Sequence, residues 1–287
     1  MGSPAPPPLF GFVQFEFGFL LGPKDGRFLI RSAPGEEPDR VLVLATLGAA
    51  ERRRFRDRRG RIVEEGAPEP VPTARATLIR PRPYEGEDAA RSWLAGLRGD
   101  EDRAQAELAD AVHVLGRALH AHRVAHADPY APDVASRQAL VVRIGFGDGE
   151  AVAEGHYAEA WELPAEGRRT RRSMEAPEER FAALLGAREE VLACEELVLR
   201  ARADLDAERS RQAALQARVA LEAVLAELTG KIPPDRRSAL EADRAAVGDA
   251  ANAALRGDLS DGLARALADA IGRMEAVLRS RRLSSSS

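Results

Sequence analysis

The stretch FGFVQFEFGFLLG, Phe10 to Gly22, carries five of the chain's nine Phe. Val13, Phe15, Phe17, Phe19 and Leu21 fall on odd positions, with Gln14, Glu16 and Gly18 between them. A period of two puts the odd residues on one face of a strand and the polar ones on the other. This much aromatic surface on one strand face demands a partner layer, so the front of the chain must build a sheet with helices against it. Phe10, Phe12 and Leu20 fall on the opposite face, and Phe10 and Phe12 are therefore candidates for an exposed partner surface. Met1 to Pro8 contains no Lys or Arg, so an export signal is not expected here.

The next segments extend the sheet. GPKDG (Gly22 to Gly26) has turn chemistry, and RFLIR (Arg27 to Arg31) reads as a returning strand. RVLVLATL (Arg40 to Leu47) and TARATLIRPRPY (Thr73 to Tyr84) follow as third and fourth strands, the latter stopped by Pro81 and Pro83. Short connections without crossover helices predict an antiparallel meander. Two helices are predicted next, over Glu87 to Leu97 and Asp100 to Ala127. In the second, Leu108, Val112, Leu115 and Leu119 form an apolar stripe. ALVVRIGF (Ala139 to Phe146) is a buried strand, GFGDGE (Gly145 to Glu150) reads as a β-turn rather than a dinucleotide loop, and Tyr157 to Pro164 offers a last strand.

From Pro177 onward the pattern is helical. Leu184, Val191, Val198 and Leu205 recur every seven residues, with Leu185, Leu192 and Leu199 beside them. Such a broad stripe suits a bundle. Further helices are read around Leu215 to Leu228, Leu240 to Leu255, and Leu259 to Leu278, the last capped by Ser260 or Asp258. The expected organisation is a lead-in over 1–8, an α+β domain over 9–165, a basic linker over 166–176, a four-helix antiparallel bundle over 177–283, and a disordered tail over 284–287.

Composition narrows the function classes. The net charge of −4, from 42 basic and 46 acidic residues, gives no global attraction to phosphate or anionic lipid. Only Lys24 and Lys231 are Lys; the remaining basic residues are Arg, a bias that a GC-rich bacterial coding sequence produces. The single Cys, Cys194, excludes an intrachain disulfide and points to a reducing cytoplasm. No apolar run is long enough for a membrane helix.

Three groups of residues carry possible chemistry. His122 and His126 are four apart on one predicted helix and could hold a metal, although no H-E-x-x-H pattern is present. RALHAH, Arg117 to His122, resembles the Arg-x4-His motif of HEPN-type ribonucleases. That resemblance implies a helical ribonuclease in which Arg117 and His122 handle an RNA phosphate. Arg52, Arg53, Arg54, Arg56, Arg58 and Arg59 form one basic run, and Arg168, Arg169, Arg171 and Arg172 form another. Both could contact nucleic acid through phosphates, with Phe55 the only aromatic among them. No coherent catalytic constellation emerges, and no cofactor is expected. The leading expectation is a non-enzymatic cytoplasmic interaction or scaffold protein. Its bundle would bind a protein partner or a second copy, with Leu184, Val191 and Val198 as interface candidates. The alternative is a nucleic-acid-binding protein.

Overall fold

A computed structural model describes residues 7–48, 72–163 and 180–284. The chain divides into two compact units, Met1–Gly167 and Arg168–Ser287. The architecture is α+β: an antiparallel sheet with helices, then helices alone. Among the described residues, no helix is long and apolar enough to cross a membrane.

The first unit holds strands β1 (Leu9–Phe17), β2 (Gly26–Ile30), β3 (Arg40–Leu47), β4 (Thr73–Ile79), β5 (Ala139–Asp148) and β6 (Glu159–Glu162). Their spatial order is β2-β3-β4-β1-β5-β6. This corrects the expected meander: β1 lies between β4 and β5 and does not touch β2 in the ladder. Strands β2, β3 and β4 are joined as consecutive hairpins and bring the chain back beside β1, a Greek-key path. The physical reason is in β1 itself. Phe rings occupy both of its faces, and such a strand is stable only where both faces are covered, at the centre of the sheet. Strand β1 also ends at Phe17, so Phe19 and Leu21 lie beyond it, Leu21 still buried. Strand β4 stops at Ile79, ahead of Pro81 and Pro83.

One sheet face carries the main core. Helices α1 (Glu87–Arg98) and α2 (Glu101–His126) cover it. Ala90, Leu94 and Leu97 of α1 and Leu108, Leu115 and Leu119 of α2 join Val13, Phe15, Phe17, Leu42, Leu78, Ile144 and Phe146 in one cluster. The Asp100 side chain accepts the Arg103 N–H at 3.0 Å and starts α2, with Glu101 and Asp102 in its first turn.

The other face has a smaller cover. Helix α3 (Ala151–Glu154) is a single turn that sets Val152 over Phe12 and Ile79. The GFGDGE segment is not the turn its composition suggests. Gly145 to Asp148 belong to β5, and only the residues after Asp148 turn the chain. Gly145 is needed because β6 passes too close: a β-carbon there would stand 2.4 Å from the Glu159 carbonyl oxygen. Gly145→Ala is expected to destabilise this unit by about 1–3 kcal/mol, since backbone must shift to admit the methyl group. Both tryptophans, Trp93 and Trp161, lie in this unit. Denaturant unfolding followed by Trp fluorescence therefore reads the cost; an unchanged midpoint would show that β5 and β6 part freely.

The second unit contains α4 (Ala193–Asp206), α5 (Ser210–Glu227), α6 (Pro234–Arg256) and α7 (Asp261–Ser284). Consecutive helices pack on one another, and α4 also meets α7. The core is rich in buried Ala, including Ala201, Ala213, Ala217, Ala220, Ala250 and Ala270, interleaved with Val198, Leu221, Leu240, Ile271 and Met274. Small side chains let helix axes approach closely. Ion pairs stitch the seams: Arg202 to Glu275, Arg244 to Glu222, and Arg273 to Asp243. Pro234 begins α6, Gly257 at φ 84° ends it, and the Ser260 hydroxyl accepts the Leu263 N–H ahead of α7.

The first expected bundle helix is interrupted. Residues 180–185 are helical, the chain then turns, and α4 starts only at Ala193. Ala187 sits at φ 51°, a left-handed conformation that a continuing helix cannot hold. Buried Glu195 fixes the restart by accepting the Leu192 N–H and, on both carboxylate oxygens, a contact from Arg180 Nη2 at 2.8 Å to each.

Candidate functional site

The densest polar constellation lies on the α3 side of the sheet, where alternation places Gln14 and Glu16 of β1. Both are enclosed. Gln14 is completely buried, and its amide uses every bonding position. Its nitrogen donates to the Thr77 hydroxyl at 2.9 Å and to the Val152 carbonyl at 3.2 Å. Its oxygen accepts from the Tyr157 hydroxyl at 2.6 Å and from Arg143 at 3.4 Å. A carbonyl only accepts, so the bond to Val152 fixes which way the amide faces.

Glu16 sits one step along the same face. Arg75 contacts its Oε1 through Nε and Nη2, at 3.1 and 2.9 Å, and Arg143 reaches the same oxygen at 2.9 Å. Arg143 also donates to Glu162 on the neighbouring strand at 3.1 Å. Burial alone would raise the Glu16 carboxyl; the hydrogen bonds and charges of Arg75 and Arg143 outweigh it and hold the group below its ordinary value. Tyr157 stacks on Phe12 with ring centres 4.9 Å apart, and Arg75 lies against Gly155 at φ 96°, where a β-carbon would crowd its guanidinium. Each polar group here is spoken for by another. The arrangement locks β1, β4, β5 and α3 together and presents no idle nucleophile or base.

A second cluster lies on α1 and α2. Arg80 stands over the Trp93 ring at 5.2 Å and pairs with Glu107. Tyr84 packs beside Trp93, and burial pushes its hydroxyl far above the ordinary phenol value. A β-carbon at Gly11 would stand 2.5 Å from that hydroxyl, so the ring closes over bare backbone.

The residues singled out from the sequence are dispersed. The Arg117 guanidinium donates to the Arg31 carbonyl at 2.9 Å, whereas the His122 ring rests by Gly22 in the loop after β1. Five residues apart on α2, the two side chains are turned well away from a common face. They also belong to a sheet-bearing unit, not to a helical bundle. His122 and His126 do meet, with ring centres 4.0 Å apart, and His126 Nδ1 donates to the His122 carbonyl at 3.1 Å. No third His, Cys, Asp or Glu joins them among the described residues, so the pair lacks the ligand set of a structural or catalytic metal centre. Arg52, Arg53, Arg54, Arg56, Arg58, Arg59, Arg168, Arg169, Arg171 and Arg172 lie outside the described residues.

Two of the interface candidates are core instead. Phe12 is 1% exposed beneath α3, and Val198 is 1% exposed inside the helical unit. Alternation and heptad spacing identify a face but not which layer covers it. Phe10 and Leu184 are half-buried, while Val191 is 65% exposed. The helical unit shows further apolar side chains that the stripe did not single out, among them Leu215, Val219 and Leu255. Leu215 and Val219 are one turn apart on α5. Leu255 flanks their end of the helix, because Arg211 of α5 holds the carbonyl of adjacent Ala254 at 2.8 Å. No protein-family model, curated protein or solved structure matches the chain.

Proposed function

We propose that the chain is a non-enzymatic interaction or scaffold protein of the cytoplasm, and that its helical unit binds a protein partner or a second copy. The observation that carries this reading is the exposed apolar group Leu215, Val219 and Leu255 along α5 and α6. The seam beside it is sealed by Arg211 on Ala254, Arg218 on Asn252 and Arg244 on Glu222. These side chains are therefore surplus to the internal packing of the unit, and large apolar groups left together on a surface mark contact sites. The saturated hydrogen bonding around Gln14 and Glu16 supports a structural rather than catalytic use of the polar residues.

The test is a Leu215→Glu/Val219→Glu/Leu255→Glu variant. Its helical circular dichroism should match the parent, and chemical crosslinking and light scattering should show loss of the bound partner or of self-association. A parent chain that stays monomeric and captures no protein overturns the reading.

A further inference from the structure

The two edges of the sheet are built differently. Strand β6 carries Glu159 and Glu162, held by Arg98 at 2.6 Å and Arg143 at 3.1 Å. Fixed charges of this kind keep a foreign strand from pairing with an edge. Strand β2 has no such protection. Arg27 is its one charged residue, its register with β3 runs without a bulge, and it contains no Pro. Among the described residues, no strand pairs with its outer side. Phe28 is 41% exposed and Leu29 is 56% exposed. Phe28 stands opposite Leu42, on the helix-covered face, and Leu29 stands opposite Val41, on the other. The edge is thus apolar on both faces as well as open in its backbone.

We infer that β2 pairs with β2 of a second copy, antiparallel about a two-fold axis, to join two sheets into one. This surface belongs to the first unit and is independent of the helical face proposed above. The register follows from symmetry and charge. A two-fold axis normal to the sheet keeps every side chain on its own face, so registers differ by steps of two residues. Centring on Phe28 sets Gly26 opposite Ile30 of the second copy, Arg27 opposite Leu29, and Phe28 opposite Phe28, which covers the whole strand. One step toward the N-terminus places Arg27 against Arg27, and one step the other way places Arg27 against Arg31. Like charges directly opposed destabilise a ladder, and an aromatic pair supports it. Only the Phe28-centred register avoids the first and gains the second.

The experiment uses the chain's own cysteine economy. Cys194 is buried, so a cysteine introduced on β2 is the reactive one. Directly opposed Cα atoms in an antiparallel pair are about 4.5–5.5 Å apart, within disulfide reach. Mild oxidation of Phe28→Cys should give a covalent dimer. Arg27→Cys and Leu29→Cys should stay unlinked, since each residue is two steps out of line with its own copy and beyond the roughly 7 Å limit. In sedimentation, the parent should dimerise with concentration, and Phe28→Lys/Leu29→Lys should weaken that about tenfold or more with unchanged circular dichroism. A monomeric parent, equal crosslinking at 27, 28 and 29, or a dimer lost in the Leu215→Glu/Val219→Glu/Leu255→Glu variant but kept in the β2 variant overturns the inference.

Discussion

Phe17→Ala is expected to lower the stability of the sheet-bearing unit by about 3–5 kcal/mol, the cost of emptying a large aromatic site in a packed core. Phe17 has no exposed surface. Its ring lies 6.1 Å from that of Phe15 and 5.4 Å from that of Phe19, and it shares a cluster with Leu115 and Leu119 of α2. Its ladder neighbours, Ala74 on β4 and Ala139 on β5, are too small to move into the vacated space. Fluorescence of Trp93 and Trp161 during denaturation isolates this unit from the helical one. Tyr130→Ala is the control: an aromatic ring is again deleted from this unit, but from a position 90% exposed, and the loss should stay below about 1 kcal/mol. Similar losses at both positions would mean that β1 is not the centre of the core.

The Phe15 and Phe17 face was legible in the sequence because alternation is a local property, fixed by the pleat of one strand. The placement of β1 was not. It depends on pairing with Thr77 and Arg75 on β4 and Arg143 on β5, distant in the chain, and no local pattern records which strand will lie alongside. For the same reason Gln14 and Glu16 read as solvent-facing. Polar residues between apolar ones signal exposure only when nothing with matching donors arrives from elsewhere, and here Arg75, Arg143 and Tyr157 do. Gly145 reads as part of a turn because glycine serves both turns and close strand approach, and the choice depends on where β6 passes. The helical stripe through Leu184, Val191 and Val198 concealed a break for a related reason. Spacing can persist across a short irregular segment, while the left-handed Ala187 and the hook from Glu195 to the Leu192 N–H are matters of backbone geometry. Of the candidate site residues, the neighbours His122 and His126 and the divergence of Arg117 from His122 follow from helical spacing, but only packing could bury Phe12 and Val198.

Removing the Glu16 carboxylate tests whether the enclosed ionic cluster is structural. Glu16→Ala leaves Arg75 and Arg143 without their shared acceptor, with side chains only 14% and 21% exposed. Stranding buried charge costs about 3–5 kcal/mol, and partial access to water puts the expected loss near the lower figure, about 3 kcal/mol. A pH series then separates charge from shape. The folded-state carboxyl is held below the ordinary 4.5, so its contribution is complete above that pH and fades as pH falls toward the folded-state value. In Glu16→Gln this titration is absent while the side-chain volume is kept. The parent should therefore lose stability more steeply than Glu16→Gln as pH falls below about 4.5. Asp39, also held low in this unit despite its burial, by the Ser32 hydroxyl and neighbouring Arg, titrates in both proteins and leaves a common residual slope. Parallel acid-denaturation curves would show that Glu16 is protonated as readily in the folded unit as in the unfolded chain, and that the two guanidinium groups do not hold it.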